Sequence, residues 1–486
     1  MRSLFQILLV SLQLLSVEAV PGQTSPRPNL VLIVADDHDR SALGCYGNSQ
    51  VKTPNLDYLA SEGMLFSRAY ATTASCSPSR SVILSGRHNH NNGQYGLQQP
   101  PHHFHSYQGM KTLPAYLSQA GYRTARIGKY HLAPESSYPF DVVISTDGSN
   151  PAKMAELSGS FFEQNKEQPF FLYFCTTDPH RTGVRTDLPH QPNAHGNRAE
   201  GHDGVRETLY SPDSLKVPYF VQDSPESRAE LAQYYQSVSR VDYGVGKLIG
   251  QLREKGLWDN TVIIYVSDNG MPLPGAKTTH YEPGVRLPLI VRNPFSKKKN
   301  ETCGELVSWL DIAPTLLDFA GVAVPDLTSR AKGAAGAGKP SDYLHGKSWK
   351  SVFDNPAGFR SDTVFLSHTF HGVFHYYPMR TVVTPRFKLI WNIAYQLPFP
   401  FATDLWDSAT WQAYLRSGDE YFGARPVAQY KQRPRYELYD LENDTRELNN
   451  LAGNPSYQAM VTSLLNSLKS HLVKTGDPWI GKWERD

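Results

Sequence analysis

Positions 76 to 87 carry the residue types that a nucleophilic or anion-binding site needs. Cys76 is followed by Pro78 and Arg80, with serines between them and an apolar run beyond. Proline suits the first position of a helix and flanking serines can cap its free N–H groups, so this spacing predicts that Cys76 lies at a helix N-terminus. The helix dipole and free amides favour an anion there, and Arg80 would follow one turn later. A structural thiol explains the stretch on its own equally well, because free cysteine is usually buried.

Two pairs of oxygen-bearing side chains stand directly after apolar runs. Asp36 and Asp37 follow the first run, and Asp268 and Asn269 follow a later one. Together they offer an all-oxygen shell, which suits Ca²⁺ especially because it accepts roughly six to eight ligands, whereas Mg²⁺ requires stricter octahedral placement. Either pair alone is more typical of an acidic helix cap. Two pairs at equivalent positions favour a divalent metal site.

Four further residues are candidates for a cationic group beside that metal: Lys129, His131, His180 and Lys277. Lysine is a point charge that suits an oxyanion, and histidine near neutral pH can donate a proton to a leaving group. Taken singly, each is more typical of an exposed polar residue, and the sequence does not give the direction of the loop that carries Lys277. The histidines between positions 88 and 105 match no ordered zinc site in their spacing, so zinc is not predicted.

The elements that must position these residues are read from the apolar runs. Uninterrupted apolar runs such as 29–35 are typical of strands buried on both faces, and further strands are predicted at 122–128, 170–175 and 261–267; each of the four ends at one of the polar clusters. Helices are predicted between them, at 55–62, 113–120, 227–255 and 309–320. This alternation predicts a doubly wound α/β sheet, whose ligands bind outside the carboxyl ends of the strands. We therefore expect the polar clusters to meet at that edge.

The pattern changes near position 361. Short strands are predicted at 363–368, 379–383, 387–391 and 436–440, followed by a helix at 457–473. These favour a small antiparallel sheet, and hence a catalytic α/β domain over 20–360 and a C-terminal α+β subdomain over 361–486. Two long surface loops are predicted, at 180–218 and 326–342.

Composition and termini limit the class of protein. The chain has 486 residues, a net charge of +2 and 19% charged residues, so no overall field favours nucleic acid or an anionic membrane. Residues 1–19 read as a secretory signal peptide, and no later segment reaches the ~18 apolar residues of a membrane span. Acceptor patterns for N-glycosylation begin at Asn300 and Asn443. The four scattered cysteines indicate neither a disulfide framework nor a zinc site.

The motifs resemble those of the sulfatase family. The stretch 76–80 with 85–87 is similar to the family signature C-x-P-S-R followed by S/T-G-R, and further sulfatase-like blocks occur in the family's order at 36–37, 128–131, 178–180, 268–270 and 436–452. The resemblance covers about 29–478. It implies an alkaline-phosphatase-like fold, with a large mixed sheet sandwiched by helices and a smaller C-terminal α+β domain containing an antiparallel sheet.

The same resemblance implies a mechanism. Cys76 would be oxidised to formylglycine by a formylglycine-generating enzyme, and residue 76 would then also bind the metal. One hydroxyl of the hydrated aldehyde, activated by the metal and Arg80, would attack sulfur and leave a covalent sulfate ester. His180 or Lys277 would protonate the leaving group, and His131 would take a proton so that sulfate is eliminated. Lys129, Lys277 and the metal would hold the sulfuryl oxygens.

Several stretches are closest to the sulfamidase subgroup, among them 93–97, 101–106, 138–141, 217–221, 377–380, 397–400 and 477–479. This implies hydrolysis of the sulfamate of N-sulfoglucosamine in heparan-type glycans, in the lysosome or after secretion; a homodimer is left open. Lys277 departs from the subgroup, where an arginine is usual, and matches the O-sulfatases instead. The alternatives are therefore an O-sulfatase acting on sulfate esters, and an inactive protein of this fold that binds sulfated glycans.

Overall fold

The computed structural model of the chain describes residues 27–181, 195–323, 343–355, 359–483 and 485. The predicted signal peptide and parts of both predicted loops lie outside these residues. Within the described ranges, no helix has the length and apolar content needed to cross a bilayer. All four cysteines carry free thiols.

A mixed sheet of eight strands positions the polar clusters. Its strands are β1 (Asn29–Ala35), β2 (Met64–Tyr70), β3 (Arg123–Gly128), β4 (Val142–Ile144), β5 (Phe170–Cys175), β6 (Thr261–Ser267), β7 (Leu289–Arg292) and β8 (Glu301–Ser308). Their order is β4-β3-β5-β1-β6-β7-β2-β8, and β7 runs antiparallel to both neighbours while the other pairs are parallel. The four predicted strands are confirmed as β1, β3, β5 and β6, and four were missed.

Helices cover both faces of this sheet, which explains the uninterrupted apolar runs. The helices that accompany it are α1 (Pro54–Ser61), α2 (Cys76–Ser85), α3 (Asn89–Asn92), α4 (Leu113–Gln119), α5 (Pro151–Gln164), α6 (Pro225–Glu254), α7 (Glu282–Val285) and α8 (Ile312–Phe319). Successive strand side chains point to opposite faces, so Leu30, Leu32 and Val34 pack with α2, α4 and α8. Val31 and Ile33 pack with α1, α5 and α6 on the other face.

A second, antiparallel sheet of four strands follows. Its strands are β9 (Val364–Phe370), β10 (Tyr376–Val383), β11 (Phe387–Asn392) and β14 (Tyr436–Asp440), in the order β14-β11-β10-β9. Two short strands, β12 (Tyr421–Phe422) and β13 (Arg425–Pro426), pair separately with each other. The later helices are Thr403–Trp406, Ala409–Ser417, Val427–Lys431, Gln458–Thr475 and Ile480–Trp483. The predicted small antiparallel sheet and final helix are confirmed, while a domain boundary at 361 stays a prediction.

Asp477 anchors the C-terminal segment through a buried ion pair. Arg380 on β10 donates from Nε to Asp477 Oδ2 at 2.6 Å and from Nη2 to Oδ1 at 3.2 Å. Burial by itself raises the pKa of Asp477, but the guanidinium of Arg380 outweighs it and lowers the pKa to about 2. The carboxylate therefore contributes stability that is fully present above its unfolded pKa of roughly 4 and is lost as the pH falls through about 2.

We expect Asp477→Asn to lower the free energy of unfolding at pH 7 by about 3–5 kcal/mol, because it leaves a buried guanidinium unpaired. Urea unfolding followed by circular dichroism measures this. The matched control is Glu156→Gln, which breaks an exposed ion pair with Lys153 and should change the same quantity by less than ~1 kcal/mol. A loss at Asp477 no larger than that of the control would contradict the prediction.

Candidate active site

The predicted clusters meet at the carboxyl edge of the larger sheet, beside one cavity. Asp36 and Asp37 follow β1, Lys129 follows β3, His180 follows β5, and Asp268 follows β6. The cavity has a volume of about 370 Å³. Its walls include five of the six predicted catalytic residues, namely Cys76, Lys129, His131, His180 and Lys277. The sixth, Arg80, is fully buried beside them.

Cys76 is the first residue of α2, as predicted. The preceding Ser75 is extended but does not cap the helix; its hydroxyl instead pairs with Nδ1 of His371 at 2.9 Å, and Pro78 is the third helical residue rather than the first. The helix ends at Gly86, whose left-handed backbone (φ 62°) suits glycine. Burial, helped by the charge of Asp36, raises the pKa of the Cys76 thiol well above its usual range. An unmodified Cys76 is thus a neutral thiol and a poor nucleophile.

Asp37 lies at the centre of the site. Its Oδ2 accepts from Lys277 Nζ at 2.9 Å and pairs with His180 Nδ1 at 2.7 Å, and its Oδ1 lies 3.9 Å from the sulfur of Cys76. Asp37 adopts a left-handed backbone, with φ of 63°. Such conformations cost energy outside glycine and occur preferentially at functional sites.

Asp36 is held by two cations. Lys129 contacts it directly through Nζ, and Nη2 of Arg80 lies 3.7 Å from its Oδ1. Burial alone raises the pKa of Asp36, yet the charges of Lys129 and its cationic neighbours bring the pKa well below the usual range. Asp36 is therefore an anion in the folded protein.

The chemistry of the donors fits a divalent cation. Oδ1 of Asp36 and Oδ1 of Asn269 are buried and have no hydrogen-bond partner among the described residues. Asp36, Asp37, Cys76 and His180 each offer a ligand atom, all within 4.8 Å of one another. Unsatisfied buried oxygens are costly, and a cation would satisfy them.

Asp268 is placed differently from the other predicted ligands. Its Oδ2 accepts from Arg80 Nε at 2.9 Å, and its Oδ1 accepts from the backbone N–H of Asp37 at 3.1 Å and of Asn269 at 2.8 Å. Asp268 thus fixes Arg80 and the backbone at Asp37 in this arrangement, and its role as a metal ligand stays a prediction.

Lys277 faces the cavity, which the sequence could not decide. Its ammonium lies between two carboxylates, Asp37 and Asp404, with Asp404 Oδ2 at 2.7 Å, and it is 3.3 Å from His180 Nδ1. Burial lowers the pKa of Lys277, but the two carboxylates outweigh this and raise the pKa well above its usual range. Lys277 is therefore a fixed positive charge.

His131 also lines the cavity. It also has a left-handed backbone (φ 57°), and its Nε2 contacts the side chain of Gln99. Burial, followed by the charge of Lys129, lowers the pKa of His131 well below the usual range. A neutral imidazole beside an anion site can accept a proton.

Sequence reasoning missed part of the wall. The missed residues are Leu97, Gln99, His102, Arg181, His371, His375, Thr403, Asp404 and Asp407. Most come from positions after 370, in or near the C-terminal antiparallel sheet. The spacing of His371 and His375, in the turn between β9 and β10, was the one visible signal.

We expect Asp404→Asn to lower kcat/KM by about tenfold, because the ammonium of Lys277 would lose one of its two charge-assisted hydrogen bonds and its fixed position. Steady-state kinetics measures this. Asp362→Asn, an exposed site just before β9, is the charge-matched control and should leave kcat/KM unchanged. Equal kinetics for both variants would show that Asp404 does not position Lys277.

Comparisons with known proteins agree with this geometry. A family model described as Sulfatase matches residues 28–322. The human protein N-sulphoglucosamine sulphohydrolase is 36% identical over 483 residues, covering 95% of this chain and 93% of its own. N-acetylglucosamine-6-O-sulfatase of Bacteroides thetaiotaomicron is 28% identical, covering 97% and 91%.

Solved structures show the same fold. One, in complex with its substrate D-glucosamine-2-N,6-O-disulfate, aligns with a TM-score of 0.66 at 23% identity, covering 93% of this chain and 99% of its own. A putative sulfatase from Bacteroides thetaiotaomicron aligns with a TM-score of 0.67 at 19% identity, covering 93% and 94%. The predicted fold class, a large mixed sheet between helices with a smaller antiparallel sheet, is confirmed.

Proposed function

Since the chain belongs to the sulfatase family, we propose that it hydrolyses the sulfamate group of N-sulfoglucosamine residues at the end of heparan-type glycans. The observation that carries the choice of substrate is the 36% identity with human N-sulphoglucosamine sulphohydrolase along 95% of the chain. The cavity supports it, because fixed cations and a neutral histidine surround Cys76. The enzyme would act in the secretory pathway, in the lysosome or after secretion.

Residue 76 requires conversion for this function. After oxidation by a formylglycine-generating enzyme, residue 76 would carry a hydrated aldehyde, one hydroxyl of which is the nucleophile. A divalent metal, which we propose is Ca²⁺, would act as a Lewis acid when bound. Asp36, Asp37, Asp268 and Asn269 would hold that metal. The position of Cys76 at a helix N-terminus, one turn before Arg80, supports this assignment.

The remaining residues bind the sulfuryl group and move protons. The fixed ammonium groups of Lys129 and Lys277 face the cavity and would bind the sulfuryl oxygens, whose negative charge they stabilise. His180 or Lys277, which lie 3.3 Å apart in the cavity wall, would protonate the departing amine. His131, held neutral, would accept a proton from residue 76 when sulfate leaves.

A second candidate is an O-sulfatase. Lys277 favours it, since lysine is usual at this position in O-sulfatases, and so does the 28% identity with N-acetylglucosamine-6-O-sulfatase. The decisive experiment compares sulfate release from N-sulfoglucosamine with release from glucosamine 6-O-sulfate, using the Cys76→Ala protein as the blank. We expect turnover of the sulfamate; turnover of the ester alone would refute the proposed function in favour of the second candidate.

A further inference from the structure

A second cavity, of about 430 Å³, lies beside the segment that follows the metal-binding aspartates. It shares no lining residue with the catalytic cavity. Its walls include Arg40, Lys216, Tyr219, Phe220 and Arg286. This volume lies within the range of roughly 300–1,000 Å³ that is typical of small-molecule sites.

Two guanidinium groups in this cavity share one acceptor. Nη1 of Arg40 and Nε of Arg286 both donate to the backbone oxygen of Ser67, at 3.1 Å and 2.9 Å. Like charges held this close repel each other, and an anion between or above them would relieve the repulsion. The site is therefore arranged for a negatively charged group.

Among the described residues, Arg286 is paired with a carboxylate, whereas Arg40 is not. Nη1 of Arg286 pairs with Oε2 of Glu282 at 3.0 Å, while the other oxygen of Glu282 pairs with Lys388 at 2.7 Å. Arg40 makes no ion pair within the described part of the chain, and its guanidinium lies 4.8 Å from the ring centre of Tyr46. The remaining acid of the wall, Asp39, accepts from the backbone N–H of Ser41 at 2.7 Å. Arg40 thus keeps donors available for a ligand.

Aromatic rings and a further cation complete the wall. Tyr219 and Phe220 are half-buried and perpendicular, with ring centres 5.5 Å apart. The further cation, Lys216, is exposed. An aromatic surface beside guanidinium and ammonium donors suits a sugar ring with an anionic substituent, because the ring contacts the apolar faces and the anion accepts from the cations.

We propose that this cavity binds an anionic saccharide unit, carrying sulfate or carboxylate, separate from the sugar that is hydrolysed. The inference rests on the proposed function in one respect, because it takes the ligand to be another unit of the same class of glycan. A site of this kind would increase the affinity for long substrates without changing the chemistry at residue 76.

The test uses the full chain carrying Cys76→Ala, titrated calorimetrically with a heparin-derived octasaccharide while N-sulfoglucosamine saturates the catalytic cavity. We expect the octasaccharide still to bind, and Lys216→Glu to weaken that binding by roughly tenfold, as loss of a charge-assisted contact predicts. Tyr219→Ala should weaken it as well. Lys297→Glu, the same charge change at another exposed lysine, should have no effect. A desulfated, N-acetylated octasaccharide keeps its carboxylates but has no sulfates. If it binds as tightly as the sulfated form, the site recognises carboxylate; if its binding is lost, the site recognises sulfate.

Steady-state kinetics with the enzyme that keeps Cys76 tests this inference separately from the proposed function. Lys216→Glu should raise KM for the octasaccharide and leave kcat/KM for the monosaccharide unchanged. Octasaccharide binding that N-sulfoglucosamine abolishes, or that Lys216→Glu and Lys297→Glu weaken equally, would overturn the second site. Absence of monosaccharide turnover would refute the proposed function alone, since the binding titration does not depend on catalysis.

Discussion

Cys76→Ala is expected to fold normally and to lower kcat by at least ~10⁴-fold, the scale seen when a catalytic nucleophile is removed. Alanine deletes the group that reacts, while Arg80, Lys129 and Lys277 still form the anion site, so substrate should still bind. The measurement is sulfate release under saturating substrate, with a thermal melt to confirm folding. In the protein without this substitution, the peptide that contains residue 76 should have a lower mass than the same peptide with an unmodified cysteine, because conversion to formylglycine removes the sulfur.

Cys303→Ala is the matched control for this prediction. Cys303 is also a buried thiol, but it lies on β8 and does not line the catalytic cavity. Its replacement should leave kcat unchanged and cost at most a modest loss of stability. Full activity in Cys76→Ala, or equal losses in the two variants, would contradict the assignment of residue 76 as the nucleophile.

Removal of divalent metal with a chelator is expected to abolish turnover and to lower Tm by about 5–10 °C. Metal at ~100 times its Kd stabilises a protein by roughly 2.7 kcal/mol, and each kcal/mol moves the Tm of a large domain by roughly 2–4 °C. The protein should stay folded without metal, because Lys129 and Arg80 already pair with Asp36 and Lys277 with Asp37. Differential scanning calorimetry measures the shift apart from activity.

Asp36→Asn should reduce the rise in Tm that metal causes. The substitution removes the negative charge of the carboxylate whose Oδ1 has no hydrogen-bond partner from any residue that the structure describes, so the metal would bind less tightly. Asp203→Asn, an exposed site, is the control and should keep the full rise. We expect Ca²⁺ to restore both Tm and turnover better than Mg²⁺, because the ligands come from separate loops rather than a strict octahedron. Unchanged Tm and turnover after chelation would refute the metal site.

Much of the fold follows from local sequence patterns. The predicted ranges of β1 and β6 match the structure residue for residue, because a central strand covered by helices on both faces is apolar along nearly its whole length and stands out from the polar residues around it. The polar residues just beyond these strands lie at the carboxyl edge, as parallel strands require. The strands β2 and β8 were missed because both mix polar residues into short apolar segments, with β8 at the edge of the sheet and β2 next to it. The strands β4 and β7 have only three and four residues.

The sequence by itself therefore determined the four neighbouring strands β3, β5, β1 and β6, the edge of the sheet at which the polar residues gather, and the candidates for nucleophile, metal ligands and proton donors. Only the tertiary structure decided that Lys277 faces the cavity, that Asp404 holds it and that His371 contacts Ser75. It also showed that Asp268 binds Arg80. The physical reason is that strand burial is set by neighbouring residues in sequence, whereas the direction of a loop and the pairing of charges far apart in sequence depend on how the two sheets pack together.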